Sequence, residues 1–305
     1  MTSAELIAAE LAGCVSRAAV VRRDEPMAKH TTLRVGGPAD LYVEPALEED
    51  LTGILKVCNA HGLPFLVVGR GSNLLVSDGG YRGLILCLAH LNFSRIEVDG
   101  ERLRCGAGAK LKNVAVEARR NGLGGLEFLE GIPGSVGGAL RMNAGAMGSQ
   151  TFDVVESVRL MDWDGNVHDL APKAMAVEYR SCDTLKNHIA LGAVFKCLSA
   201  PRGEIEARME AFSEKRWASQ PAAPSAGCMF KNPGQIPAGK LVDELGLKGA
   251  RVGGARVSAE HGNFIVNDGT ATARDVLELV DIVKAKAKVE RGIELQTEVE
   301  IVGEE

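Results

Sequence analysis

Three glycine-rich turns stand where a chain backbone can meet an anion. Residues 68–76, VGRGSNLLV, follow an apolar run directly. Glycine there lets backbone N–H groups face an anion at close range, and Ser72 and Asn73 add side-chain donors. Residues 106–111, GAGAKL, resemble half of a dinucleotide fingerprint, but Leu111 stands where the third glycine belongs, so a tight strand-to-helix turn is the better reading. Residues 131–148, GIPGSVGGALRMNAGAMG, carry glycine far above the usual ~7%. No apolar periodicity organises this stretch, which predicts a long loop rather than a packed helix or strand. Ile132, Val136, Leu140 and Met142 argue against disorder, leaving an anion- or flavin-binding cradle and a buried Ω-like loop both open. None of the three turns fits GxxxxGK[ST], which disfavours a nucleoside triphosphatase.

Other chemistries are excluded by residue type and spacing. The six histidines show no HxxxH or HExxH pattern and the seven cysteines no CxxC pair, so no metal site is expected. An odd cysteine count without a secretory signal predicts reduced thiols and a cytoplasmic protein. The formal charge is −5 and no basic run is present, which argues against a nucleic-acid partner. Apolar residues make up 46% of the 305, enough for a packed core, yet no window is apolar enough to span a bilayer.

The elements that must position the turns follow from periodicity. An N-terminal helix leads into a strand at 39–43, a helix at 48–61 broken by Gly62-Leu63-Pro64, and strands at 65–68, 84–88 and 102–105. A helix at 111–121 ends on Gly122, a common C-terminal signal. Strands at 154–163 and 167–170 flank Asp164-Gly165, which predicts a type I′ hairpin, and another strand spans 189–197. Beyond Pro201 the texture changes: a charged helix at 203–219, a proline-broken connection at 220–225, then a helix at 238–245, a strand at 264–266, a helix at 273–290 and a strand at 294–302. Strands and helices alternate without strict βαβ order, which predicts α+β with a mixed sheet. The expected division is a lead-in at 1–28, one domain at 29–200 and a second at 201–305.

At this point the residues carry a resemblance. GRGSNLLV (69–76) followed by the 131–148 stretch resembles the FAD-binding domain of the vanillyl-alcohol-oxidase (PCMH) type flavoproteins. More specifically, HTTLRVGGPADLYVEP (30–45), YRSC (179–182), SAGCMFKNP (225–233), AGKLVDELGLKG (238–249), HGNFIVND (261–268) and LQTEVEIVG (295–303) resemble, in order, the UDP-N-acetylenolpyruvoylglucosamine reductase family. The resemblance implies a two-lobed FAD-binding domain followed by a smaller C-terminal α+β substrate domain. It implies non-covalent FAD held by Gly69, Arg70, Gly71, Ser72, Asn73, Leu74, Pro133, Gly134, Ser135, Gly138, Asn143, Ala144 and Gly145. NADPH is the implied co-substrate, the implied substrate is a small enolpyruvyl UDP-sugar, and a monomer is expected. The short region around Tyr179 to Asp183 is similar to the subgroup lacking a substrate-closing loop insertion.

The same resemblance assigns chemistry downstream. Charge grows on the substrate carboxylate as hydride adds, and Arg180 matches the family's arginine for that charge; its planar fork suits a carboxylate bidentately. Glu298 matches the catalytic glutamate, although Glu300 shares its face under strict alternation and spacing alone cannot choose between them. Cys228 stands where most of the family carries serine as proton donor, and a thiol of pKa ~8.5 is a stronger acid than an alcohol. A surface ion pair for Arg180 and an inert core position for Cys228 are the plainer readings of those residues. Tyr179, Lys231 and Asn232 resemble substrate contacts, with Arg216 and Gln220 toward the UDP end. His261-Gly262-Asn263 departs from the commoner alanine at its middle position. The competing functional readings are a flavin oxidase of the same superfamily and a non-catalytic flavin-binding protein.

Overall fold

The computed structural model describes residues 3–234 and 236–305; Met1 and Thr2 of the expected lead-in, and Gln235, lie outside the described residues. Contacts divide the chain into two compact units, one of residues 1–23, 41–70 and 83–215, the other of 24–40, 71–82 and 216–305. This partition departs from the expected one. The charged helix Arg202–Ser219 belongs to the first unit as far as Lys215, and two early segments join the C-terminal residues. Long-range bonds explain the second departure: Thr32 Oγ1 donates to Ser225 O at 2.6 Å and Asn267 Nδ2 donates to Leu33 O at 2.9 Å. Strand Leu74–Val76 also pairs in parallel with Glu300–Val302.

The first unit has two lobes over one apolar core. One carries a five-stranded sheet in the order Val167–Leu170, Val155–Met161, Ile189–Lys196, Arg102–Gly106, Ile96–Asp99, antiparallel throughout. The other contains the parallel pairing of Phe65–Val68 with residues 84–87, and the helices Ser3–Cys14 and Glu48–His61. Leu51, Ile54, Leu55 and Cys58 recur at helical spacing and are buried, so the second helix presents one apolar stripe to the core. Asp50 anchors the start of that helix by accepting from Ser16 N, Ser16 Oγ, Ala46 N and Leu47 N at 2.7–3.0 Å.

Two local expectations are corrected. The 162–166 turn is not type I′: of its residues only Gly165 has positive φ, +89°. Gly165 N donates to Asp162 O and Asp162 N to Asn166 O, which makes a type I turn closed by a glycine bulge. The 131–148 stretch is not an unstructured loop. It holds a helix, Val136–Arg141, and a small hairpin of Gly145–Ala146 with Ser149–Gln150. Val136, Ala139 and Leu140 are buried at i, i+3, i+4 spacing, and Val136 N and Gly137 N donate to Ala109 O and Ala107 O. Tertiary bonding thus overrides the poor helix propensity of Gly137 and Gly138.

The second unit packs the helices Ala238–Glu244 and Ala273–Arg291 with a four-stranded antiparallel sheet in the order Ser225–Cys228, Phe264–Asn267, Ala255–Val257, Arg251–Val252. The long helix is capped at both ends: Thr272 and Asp275 exchange hydrogen bonds in a capping box, and Gly292 closes it in the left-handed region at φ +65°. Its buried residues Ala273, Val276, Val280, Val283 and Ala287 keep the i, i+3, i+4 rhythm. The expected strand at 294–302 shortens to Glu300–Val302. Among the described residues, no helix is long and apolar enough to cross a membrane, and no group of three or more His, Cys, Asp or Glu is placed to hold a metal ion.

Candidate active site

The first unit encloses a cavity of about 540 Å³, inside the ~300–1,000 Å³ range of small-molecule sites. Of the expected cofactor residues, Gly69, Arg70, Ser135 and Gly138 line it. The two glycine-rich turns paired by resemblance therefore meet. An added Cβ on Gly69 would stand 2.5 Å from Ser135 Oγ, so the absence of a side chain there is what lets them approach. The GAGAKL turn lines the same cavity through Ala107, Gly108 and Lys110, and its backbone carries the 134–137 segment: Leu111 N donates to Gly134 O, and Lys110 bridges Ser135. It is both the strand-to-helix turn expected and part of the wall.

The cavity also brings in residues that sequence patterns did not single out. Lys110, Arg141 and Lys186 join Arg70 as cations on its wall. Arg141 Nη1 donates to Leu185 O at 3.1 Å, and Lys186 Nζ lies 2.6 Å from Asp183 Oδ1. Phe65 and Trp163 form an edge-to-face pair, centroids 5.0 Å apart, on the apolar part. Burial pushes the thiol of Cys87, another wall residue, above its ordinary pKa, and its Sγ donates to Gly69 O at 3.7 Å. Cations, an aromatic wall and a close-approach glycine suit a long ligand with a diphosphate and fused rings, which is the chemistry of FAD.

Arg180 sits in a tight hairpin of Val177–Glu178 and Ser181–Cys182. Its φ is +58°, an uncommon conformation for a residue with a side chain. Its guanidinium carbon lies 5.0 Å from the centre of the Tyr179 ring, a cation–π arrangement, and Tyr179 is exposed. Pro133 is exposed on the glycine-rich stretch, whereas Ala144 is bonded through its carbonyl to Thr151 N and Thr151 Oγ1.

The other expected residues belong to the second unit. Cys228, half-buried, ends strand Ser225–Cys228 opposite Phe264. The chain beyond it is laced to the one bearing Glu298: Glu298 N donates to Met229 O, Lys231 N donates to Gln296 O, and Phe230 bridges Thr297. Asn73 Nδ2 donates to Glu298 O at 3.1 Å, while Glu300 N donates to Asn73 O at 3.0 Å. Asn73 thus holds both Glu298 and Glu300, but only Glu300 lies in a strand, so the strict alternation assumed for 294–302 does not apply. Gly71 carbonyl accepts from Thr32 N, Leu74 opens the parallel strand opposite Glu300, and Ser72 O faces Gly227. Asn232 Oδ1 accepts from Ala238 N at 2.9 Å, tying the turn to the first residue of its helix.

Asn263 is the residue that sequence patterns under-read. It is buried, its Oδ1 accepts from Phe230 N and its Nδ2 donates to Phe230 O, both at 2.8 Å, while its carbonyl accepts from Met229 N. One side-chain amide thereby replaces a strand neighbour for the segment after Cys228. Its block, HGNFIVND, was the available signal. Beside it, His261 Nδ1 accepts from Asn263 N at 3.1 Å. Burial, the larger cause, and the Lys248 charge hold the His261 pKa below 6.5.

These features define a flavoenzyme fold. An FAD binding domain model matches residues 39–171. The solved structure of wild-type Phl p 4.0202, a glucose dehydrogenase, shares the fold alone, at TM-score 0.51 and 13% identity over 94% of this chain and 63% of that one. A second model, the UDP-N-acetylenolpyruvoylglucosamine reductase C-terminal domain, matches residues 220–302. The reductase of that name from Geobacter metallireducens is 47% identical over 286 residues, 93% of this chain and 95% of the relative. The crystal structure of the corresponding reductase from Thermus caldophilus superposes at TM-score 0.82 with 40% identity, covering 93% of this chain and 99% of that one. The chain belongs to the UDP-N-acetylenolpyruvoylglucosamine reductase family.

Proposed function

We propose that this chain is an NADPH-dependent FAD enzyme that reduces the enolpyruvyl ether of a UDP-N-acetylglucosamine substrate to the lactyl ether of UDP-N-acetylmuramate, a step of peptidoglycan precursor synthesis. The observation that carries the reading is the 540 Å³ cavity walled by Gly69, Arg70, Ser135 and Gly138 in a chain of this family. Bound FAD would supply the hydride-transfer chemistry that links NADPH to the terminal enolpyruvyl carbon. Gly69, Arg70, Ser135 and Gly138 hold it, with Lys110, Arg141 and Lys186 adding positive charge for its diphosphate.

Arg180 binds the substrate carboxylate, where negative charge grows as hydride arrives, and its two-pronged geometry keeps that carboxylate oriented. Cys228 then delivers a proton: the S–H bond breaks, a C–H bond forms at the carbon next to the carboxylate, and solvent reprotonates the thiolate. Glu298 retains a proton so that it donates to the charge instead of repelling it. Tyr179, Lys231 and Asn232 position the UDP-sugar. The protein works as a monomer in the cytoplasm, and NADPH and the UDP-sugar use the site in turn.

The test is an anaerobic pair of half-reactions on the FAD-loaded protein. NADPH should bleach the flavin, and the enolpyruvyl UDP-sugar should rapidly restore its colour. Restoration by oxygen but not by the UDP-sugar would move the assignment to an oxidase, and a protein that takes up no flavin would sink it.

A further inference from the structure

We propose that Asn143 is a positioning residue for Arg180, a strut between the glycine-rich 131–148 segment and the hairpin that bears the arginine; the inference rests on the role given to Arg180 above. Asn143 is 5% exposed. Its Nδ2 donates to Gln150 Oε1 at 3.0 Å and to Glu178 O at 3.2 Å, and its Oδ1 accepts from Phe152 N at 3.2 Å. Both amide hydrogens are therefore engaged by the protein, so the side chain serves the fold of this region where the resemblance implied a contact to FAD. Asn143 itself has φ +39°, a left-handed backbone that asparagine tolerates better than most residues.

The partner at Glu178 matters because of where it lies. Glu178 pairs with Ser181, so Tyr179 and Arg180 form the two-residue turn between them. Arg180 at φ +58° has a left-handed backbone that is disfavoured for a residue with a side chain, and such a conformation persists only where the surroundings hold it. Fixing the Glu178 carbonyl fixes the peptide group that enters the turn. The neighbouring hairpin contributes room as well. A Cβ on Gly145 would lie 2.7 Å from Ser149 O, 3.1 Å from Gln150 Cγ and 3.3 Å from Arg180 Nη1. Gly145 pairs with Gln150, whose side chain receives the Asn143 amide. One short segment thus bonds to the base of the arginine's turn and leaves space for its guanidinium.

The test compares the two anaerobic half-reactions in FAD-loaded Asn143→Ala and Arg180→Lys proteins and in the double variant. In Asn143→Ala we expect parental flavin content and visible spectrum, flavin reduction by NADPH within about threefold of parent, and reoxidation by the enolpyruvyl UDP-sugar about 30-fold slower. Added to Arg180→Lys, the same change should slow reoxidation by less than about threefold, because the strut acts through the arginine. Flavin loss, equal slowing of both half-reactions, or full additivity in the double variant overturns the proposal. Gln150→Ala, which removes one acceptor, should slow reoxidation by about fivefold and spare reduction, and it decides the matter if Asn143→Ala does not fold; equal slowing of both steps in it again overturns the strut. If Arg180→Lys reoxidises at the parental rate, it is the role of Arg180 that fails.

Discussion

The cavity of the first unit and the Cys228 region of the second are built by opposite devices. Around the cavity, position is set by what is missing. Gly69 lies against Ser135 because neither backbone nor side chain intervenes, and Gly145 leaves room for Arg180. Around Cys228, position is set by what is added. Asn263 clamps Phe230 with two 2.8 Å bonds and Asn73 ties Glu298 and Glu300 to its own turn. A glycine contact fails by steric overlap, which a second substitution can relieve. An amide clamp fails by leaving buried polar groups unpaired, which no neighbouring truncation repairs. The two regions should therefore answer mutation differently.

The largest expected effect is chemical and confined to the second unit. Cys228→Ala should lower turnover by about 100-fold or more while flavin reduction by NADPH stays near parental, and Cys228→Ser should keep substantial turnover. Stopped-flow absorbance on the two half-reactions checks this, and normal turnover of the alanine variant removes Cys228 from the mechanism. Next comes Asn263→Ala, which strands the N–H and carbonyl of Phe230 and should destabilise by about 2–4 kcal/mol in urea unfolding. A change below about 0.5 kcal/mol would show that the clamp is not what holds the Cys228 segment.

Gly69→Ala should destabilise by about 1–2 kcal/mol and weaken FAD retention, since a methyl would overlap Ser135 Oγ. Adding Ser135→Ala should recover at least half of the lost stability in thermal unfolding, because the overlap is with one side-chain oxygen. Additive losses would place the strain elsewhere. The smallest effect is on pH. His261 has a folded pKa below its unfolded value near 6.5, so the unfolded chain binds the extra proton first on acidification. Its stabilisation is complete above pH 6.5 and is lost as the pH falls through the lower folded value. The urea midpoint should drop between pH 7.5 and 5, and His261→Gln, whose carbonyl can still accept from Asn263 N, should flatten that slope. An unchanged slope would assign it to other groups.

Much of this molecule was legible in its sequence. The helices at Glu48–His61 and Ala273–Arg291 were readable because apolar stripes and, in the first, the Gly62-Leu63-Pro64 break are local signals. The 131–148 stretch was legible as special by its glycine density, yet its Val136–Arg141 helix was missed although Val136, Ala139 and Leu140 hold helical spacing. The reason is that Gly137 and Gly138 weaken the local preference, and the bonds to Ala107 and Ala109 that restore it come from a distant turn. The cavity cations Lys110, Arg141 and Lys186 were likewise invisible, since isolated basic residues carry no spacing.

What the sequence determined by itself was the kind of ligand and the kind of reaction: glycine turns where a backbone must approach an anion, and an arginine, a cysteine and a glutamate within blocks that resemble one reductase family. Those are properties of residue type and local order, and they survive without coordinates. Tertiary structure alone decided which turns meet, which early segments join the C-terminal residues, and which asparagines act as clamps. Asn143 and Asn263 look alike as isolated letters. Only the fold brings Glu178 O to one and the Phe230 backbone to the other, because a side-chain amide takes its meaning from partners that no local periodicity encodes.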